Sequence, residues 1–531
     1  MTTTRPRTHE DLAWMLEVLS REYPDRVAIV DAEQDIRRTY AQFAERANRV
    51  ADALWRIGVR PGDNFGLLMH NCAEFLEVLY GAAKIGATAV LVNRRLSVAE
   101  MAYELEDSES VGLIYSSRFA DSAAELRARI DRPLWWCASG ESPAPGSGRQ
   151  YELETLLSSA DPGFTALTDV DLESSGWVII YTSGTTGKPK GVVLTQGNVI
   201  AGNEIVSRFL WSRYGAALTP VVRALVTAAM NHIGGLTTSS TPVLASGGML
   251  VILDDFDPVK MLRTIERYRL NLAFSIGNMW NRIAEENIDG YDLSSLEVIG
   301  TCISYHNDQQ LRFLHERVGA EVYYMFGQTE TTTGLVTTRK TSDLFLRRGT
   351  LGRPFGYMDV RVVSETGKPV PVGEVGELQY RGTTVFKEYY GRPDDTKRAF
   401  DNGWFRSGDL VRADEDGYLY FVDRLKDMVK TGGLNVFTIE VENVLLGHDG
   451  VAEVAVAGIP DPKWGEAVVA FVVPEPGVQL TKESMIDFCK QRIAHYKSPK
   501  HVYFLDQIPE NSLGKKLKRQ LVDSVLAGNL H

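Results

Sequence analysis

Tyr181-Thr182-Ser183-Gly184-Thr185-Thr186-Gly187-Lys188-Pro189-Lys190-Gly191 follows almost directly on Trp177-Val178-Ile179-Ile180. The earlier four residues are apolar and largely β-branched, and they read as a buried strand. Chain leaving such a strand into hydroxyls, glycines and two lysines has the chemistry of a phosphate grip. Glycines let backbone N–H groups approach anionic oxygens, hydroxyls donate, and ammonium groups neutralise charge. The segment is not a Walker loop, because Thr182 stands where that pattern needs its first Gly and Pro189 replaces its Ser/Thr. A solvated Gly- and Lys-rich surface loop is the plainer reading, and the preceding strand speaks against it.

Working outward, 531 residues exceed one ordinary core and suggest roughly three or four domain-sized units. A hydrophobic share of 44% is that of a globular protein. The net charge of −12 argues against bulk binding to nucleic acid or to an anionic membrane. An anionic nucleotide must therefore be held by local lysines and arginines. Cys72, Cys137, Cys302 and Cys489 are scattered without metal-ligand spacing and read as reduced thiols. Met1-Thr2-Thr3-Thr4-Arg5 is polar with no apolar run behind it, and no stretch has the length of a membrane span. The expectation is a cytoplasmic protein with no membrane insertion.

The first half alternates strands and helices. Residues 26–30, 65–69, 87–92 and 111–115 are short apolar runs. Phe43, Ala47, Val50, Ala51, Leu54 and Ile57 recur at helical spacing and stop near Gly58, and helical patterns cover 74–84 and 98–105. That is the rhythm of βαβ units around a buried parallel sheet. Residues 141–148 read as an exposed loop. From 360 to 380, short alternating strands with Gly and Pro turns suggest a small β module, and an α+β pattern follows Asp427, with strands at 451–456 and 467–473 and a helix at 482–494. The fold class is α/β, with a large N-terminal domain of parallel βαβ sheets carrying a small β-barrel-like module and a small α+β C-terminal domain.

The segment at 181–191 resembles the phosphate-binding signature of the adenylate-forming superfamily, in its acyl-CoA synthetase branch. Later motifs follow in that family's order, so the resemblance spans about residues 20–525. It implies that Thr182 through Lys188 and Lys190 hold the nucleotide's phosphates. Within Tyr323-Tyr324-Met325-Phe326-Gly327-Gln328-Thr329-Glu330, it implies that Phe326 and Gly327 line the nucleotide site, Thr329 touches the α-phosphate and Glu330 holds Mg²⁺. Asp409, in Gly403-Trp404-Phe405-Arg406-Ser407-Gly408-Asp409, would accept the ribose hydroxyls, and Arg424 would contact ribose and phosphate. Lys515 would bridge the attacking carboxylate and the α-phosphate. Lys426 occupies the position of a hinge, dividing the chain into 1–425 and a mobile 426–531. Gly432 and Gly433 resemble the turn lining the CoA tunnel, for which a plain β-turn is the alternative. Asn231, His232 and Gly235 correspond to the acyl-pocket segment, where no acidic residue stands to hold a substrate amino group.

This chain departs from the family's pattern at several places. Gly300-Thr301-Cys302-Ile303-Ser304 stands where a smaller Gly-Gly-Ala-Pro-like turn shapes the adenine and acyl pockets. Phe326 replaces a Tyr, Asp423 a Gly, and Leu513 a Ser or Thr. The resemblance implies an acyl-CoA ligase that uses ATP, Mg²⁺ and coenzyme A on a non-amino carboxylic acid, with no nucleic-acid partner; a homodimer is compatible with it. Three alternatives stay open: thioester formation from a supplied acyl-adenylate, loading of a carrier-protein phosphopantetheine, and a non-catalytic binding protein on this fold.

Overall fold

The computed structural model describes residues 11–132, 134–140, 149–167, 171, 173–182, 188–214, 221–302, 308–356, 358–510 and 516–530. Two compact units divide the chain: 1–360 with 380–405, and 361–379 with 406–531.

The first unit is built on two sheets. In the first, Asn64–Leu68 pairs in parallel with Thr88–Leu91 and Gly112–Ser116, and Trp135–Ser139 and Arg149–Glu152 continue the parallel run. Gly176–Thr182 lies parallel to Thr88–Leu91 on one side and antiparallel to Lys190–Thr195 on the other. Trp177 to Ile180 are fully buried, as their apolar run requires, and the Trp177 indole N–H donates to the Leu79 carbonyl at 3.0 Å. The two-residue strand Glu388–Tyr389 then covers the outer edge of Lys190–Thr195. The second sheet runs in parallel through Glu321–Phe326, Val298–Cys302, Leu272–Ile276, Arg223–Val226, Met249–Ile252 and Val27–Asp31. Ile36–Thr39 and Val336–Thr337 pair antiparallel at its two sides.

Helix Tyr40–Ile57 forms where the apolar periodicity expects it. Thr39 and Gln42 make a capping box at its start, and Gly58 ends it at φ +105°, a conformation that suits glycine. Helices Ala73–Lys84 and Val98–Asp107 match the helical patterns at 74–84 and 98–105.

In the second unit, Trp404–Ala413 and Leu419–Arg424 form an antiparallel ribbon. Val451–Asp461 and Gly465–Pro474 make a long hairpin, longer than the sequence pattern suggests, with His501–Phe504 parallel beside it. The helix expected at 482–494 stops at Lys490, because the amides of Arg492 and Ile493 both turn back to the Cys489 carbonyl. The loop expected at 141–148 lies outside the described residues.

One charge cluster fixes how the first helices pack. Glu77, 1% exposed, takes Arg38 at 2.9 Å and Arg46 at 2.7 Å, and Arg46 also grips Glu154. Removing one partner leaves buried charge without compensation. Glu77→Ala should therefore destabilise the first unit by about 3 kcal/mol, the low end for a broken buried pair because Arg46 keeps Glu154. A lowered urea midpoint checks this, and an unchanged midpoint rejects it.

Candidate functional site

The hairpin register brings the quoted segment's two ends together. Thr182 stands directly opposite Lys190, and Tyr181 opposite Gly191. A Cβ on Gly191 would lie 2.7 Å from the Ile179 side chain, so glycine is needed there. Ser183, Gly184, Thr185, Thr186 and Gly187 lie outside the described residues. At the far end of the loop, the Tyr103 hydroxyl donates to the Pro189 carbonyl at 2.9 Å, and the Lys188 ammonium lies 5.6 Å from the Tyr103 ring centre.

Lys190 is held on two sides. Its ammonium is 2.9 Å from an Asp395 oxygen and 5.3 Å from the centre of the Tyr389 ring. The Tyr389 hydroxyl donates to Glu330 at 2.9 Å. Burial, together with the neighbouring Glu330 carboxylate, pushes the Tyr389 phenol well above its ordinary range, so it stays a donor. The Lys190 hydrogen bond holds the Asp395 carboxyl below its ordinary range. The structure thus links Glu330 to Lys190 through residues that the sequence reading did not single out. Nothing local in the sequence announces the Lys190–Asp395 pair, whose partners are about 200 positions apart.

Glu330 is buried, on the short turn Thr329–Thr331 that follows strand Glu321–Phe326. Thr332 takes φ +65°, a strained conformation for a β-branched residue. Contacts on both sides of its peptide hold it there: its hydroxyl donates to the Thr384 carbonyl at 2.7 Å, and its own carbonyl accepts from Thr237. The bend fixes where Thr329 and Glu330 leave the strand. A buried carboxylate on this turn suits a hard cation that arrives with phosphate oxygens.

The carboxyl ends of parallel strands gather the other residues singled out in this unit, the usual place for a ligand in such sheets. Gly300, Thr301 and Cys302 end one strand, and Phe326 and Gly327 follow from the next. A Cβ on Gly300 would sit 2.2 Å from the Phe274 ring, and one on Gly327 2.4 Å from the Thr333 carbonyl. Burial raises the Cys302 thiol to about 11, which keeps it protonated at neutral pH. Ile303 lies outside the described residues.

Asn231 and His232 follow the strand Arg223–Val226. The Asn231 side-chain amide nitrogen is buried without a hydrogen-bond partner, and the His232 Nε2 lies 3.5 Å from the Asn93 side-chain nitrogen. Gly235 has no room for a side chain, since a Cβ would lie 2.3 Å from the Ala229 carbonyl oxygen. Between helix Gln196–Tyr214 and the sheet is a narrow apolar cleft. Phe209, Phe274, Gly300, Tyr323, Met325 and Phe355 are among its walls, and among the described residues no acidic one lines it.

In the second unit, Asp409 and Arg424 face each other across the ribbon, with the Arg424 Nε 3.5 Å from an Asp409 oxygen. Asp409 is buried, and its backbone N–H donates to the Ser407 hydroxyl at 3.0 Å. Asp423, one of the departures, is also buried and accepts from the Thr438 amide and hydroxyl, capping helix Thr438–Leu446. Burial raises its carboxyl above the ordinary range. Gly432 and Gly433 join Val429–Thr431 to Leu434–Val436 at φ +58° and +79°, so a tight hairpin turn accounts for both glycines. Lys426 lies in the turn after Leu419–Arg424, within this second unit. Lys515 lies outside the described residues.

Sequence comparison bears directly on this arrangement. The profile of AMP-binding enzymes matches residues 16–390, and that of the AMP-binding enzyme C-terminal domain matches 440–515. The chain belongs to the AMP-binding enzyme family. Its similarity to family members runs nearly end to end. The long-chain-fatty-acid–CoA ligase FadD13 of Mycobacterium tuberculosis is 35% identical over 96% of this chain and 98% of that protein. Feruloyl-CoA synthase from an Amycolatopsis species is 35% identical over 91% and 93%. The o-succinylbenzoate CoA synthetase of Bacillus subtilis, solved with its acyl-adenylate intermediate, superposes with a TM-score of 0.81 at 28% identity, covering 96% and 97%. No helix among the described residues is long and apolar enough to cross a membrane.

His232 supplies a pH test. Burial first, and then the nearby Arg95 charge, lower its pKa from 6.5 to about 4. As pH falls, the unfolded chain takes up this proton before the folded one does. The associated stability is complete above about pH 6.5 and is lost toward about pH 4. His232→Gln should flatten that part of the curve when urea midpoints are compared at pH 7, 5.5 and 4.5. An unchanged slope would show that another group is responsible.

Proposed function

We propose that the chain is an AMP-forming acyl-CoA ligase that activates a non-amino carboxylic acid and transfers it to the thiol of CoA. The observation that carries this reading is the match of both family profiles across one chain whose Thr182–Lys190 hairpin stands beside Glu330. A carboxylate is a poor acyl donor, because its leaving group would be oxide. Its oxygen attacks the α-phosphorus of ATP, the α–β bridging bond breaks, and pyrophosphate leaves. The thiolate sulfur then attacks the acyl carbon, and AMP departs with the electrons of the broken C–O bond.

Lys190 and the loop from Thr182 to Lys188 neutralise polyphosphate charge in this reading, and Glu330 with Thr329 orients the α-phosphate end. Mg²⁺ held at Glu330 would supply further charge neutralisation for the phosphate oxygens. Asp409 accepts from the ribose hydroxyls, with Arg424 beside it. Lys515 bridges the carboxylate and the α-phosphate. Gly300, Thr301, Cys302, Phe326 and Gly327 line the adenine side, Asn231, His232, Gly235 and Ile303 the acyl side, and Gly432 and Gly433 the path of pantetheine. Residues 426–531 turn about Lys426 between the two steps. A site using ATP and CoA fits a cytoplasmic enzyme.

The apolar cleft refines the substrate class. Its aromatic and aliphatic walls suit an apolar acyl group, and the lack of an acidic residue among its described lining residues favours a non-amino acid. Fatty and aromatic acids are the first classes to test, in keeping with the names of the two similar ligases.

The decisive experiment incubates the protein with ATP, Mg²⁺, CoA and a panel of acids, following pyrophosphate and thioester separately. Both products with one acid are expected. Thioester only from supplied acyl-adenylate would favour the single-step alternative, and transfer only to a carrier protein would replace CoA. Absence of every product would favour a binding protein.

Two substitutions sharpen the assignment. Lys515→Ala should slow adenylation by about 10²- to 10³-fold, the scale of losing one oriented donor, while thioester formation from preformed acyl-adenylate survives. Equal loss in both half-reactions would remove Lys515 from its role. Phe209, packed edge-on against Tyr323 at 4.5 Å, narrows the cleft. Phe209→Ala should move the preference in kcat/KM toward bulkier acids by about 10-fold or more. An unchanged acid ranking would place the acyl group elsewhere.

A further inference from the structure

Asp395 lies outside every motif that the sequence reading used. It sits on the short helix Pro393–Ala399, and its two oxygens have different partners. Oδ2 is 2.9 Å from the Lys190 ammonium, and Oδ1 pairs with Arg398 three residues on. The Lys190 and Asp395 side chains are each 13% exposed, so solvent screens this pair only in part, whereas Arg398 is 70% exposed. The far side of Lys190 faces the Tyr389 ring, whose hydroxyl is engaged with Glu330.

An incoming polyphosphate therefore meets a lysine already matched to a carboxylate. To bind the ammonium fully, phosphate oxygens must share it with Asp395 or displace that carboxylate. Arg398 makes displacement affordable, because it stays paired with Asp395 when Lys190 turns away.

We propose that Asp395 is a stand-in anion for the polyphosphate: it holds Lys190 while the site is empty and yields it to phosphate. By competing for that lysine it limits how tightly pyrophosphate is retained after the adenylate forms. This rests on the reading of the Thr182–Lys190 hairpin as a phosphate grip. Asp395 touches no reacting atom in this scheme and acts through Lys190 as a positioning residue. Arg398 tunes the exchange from the solvent side. Removing the carboxylate strengthens the grip, and removing Arg398 leaves Asp395 to hold Lys190 harder.

The test is calorimetric titration of the full-length protein with magnesium pyrophosphate, without acid or CoA. Asp395→Asn should tighten binding by about 3- to 10-fold, the scale of a partly screened ion pair. Arg398→Gln should weaken it by about 2- to 3-fold. In a Lys190→Ala background, Asp395→Asn should have no effect, whereas Asp395→Glu with Lys190 intact should keep wild-type affinity. During turnover, Asp395→Asn should also become more sensitive to inhibition by added pyrophosphate. A through-space charge effect would give the same two signs with Lys190 removed, so an Asp395→Asn effect that persists in the Lys190→Ala background overturns the proposal. Weakened or unchanged binding in Asp395→Asn overturns the proposal, as does a shift of the same sign in both. Wild-type protein that binds no pyrophosphate overturns the phosphate-grip reading itself.

Discussion

The antiparallel pairing of Gly176–Thr182 with Lys190–Thr195 is the constraint from which the rest of the site follows. A ladder with fixed register sets which residues face one another, and a slip of one position would turn every side chain to the other face. Because Ile179 and Ile180 are buried, the register has no freedom to slip. Thr182 and Lys190 are thus brought opposite each other by core packing rather than by the loop between them. The loop can carry polar, glycine-rich sequence because the strands on both sides are already committed.

From that pair, charge propagates inward along named contacts. Lys190 touches Asp395 and the Tyr389 ring, and Tyr389 reaches Glu330. Glu330 in turn sits on a turn that ends in the strained Thr332. Each step joins segments far apart in sequence, and few of these groups are freely exposed. Such a network changes as a unit when one member finds a new partner. The second unit uses a simpler device, since Asp409 and Arg424 are cross-strand neighbours on one ribbon.

Much of this was legible in the sequence, for identifiable reasons. The strands at 64–68, 88–91, 112–116 and 176–182 announce themselves by apolar runs, because buried parallel strands need apolar residues on both faces. Helix Tyr40–Ile57 was readable from periodicity and from Gly58. What escaped is whatever depends on distant pairing. Asp395 and Tyr389 give no local signal, and the cleft walls come from Phe209, Phe274, Tyr323 and Phe355, each an ordinary core residue when read alone. Gly432 and Gly433 were noticed for the space they leave, whereas their positive φ values give the backbone a reason of its own. The end of helix Lys482–Lys490 was missed because a change in hydrogen bonding stops it, with no proline or glycine to mark the place.

The strand Glu388–Tyr389 has a consequence unrelated to nucleotide chemistry. Only two residues long, it closes the outer edge of Lys190–Thr195, helped by the Lys387 amide on the Val193 carbonyl and the Tyr390 amide on the Gly191 carbonyl. Without it, Val192, Val193 and Leu194 would present an apolar strand with unpaired backbone groups, a template for joining other chains. The segment that delivers Tyr389 to Lys190 is therefore also a guard against self-association. Undocking of 387–390 would open that edge, and binding that steadies Tyr389 from within would keep it closed.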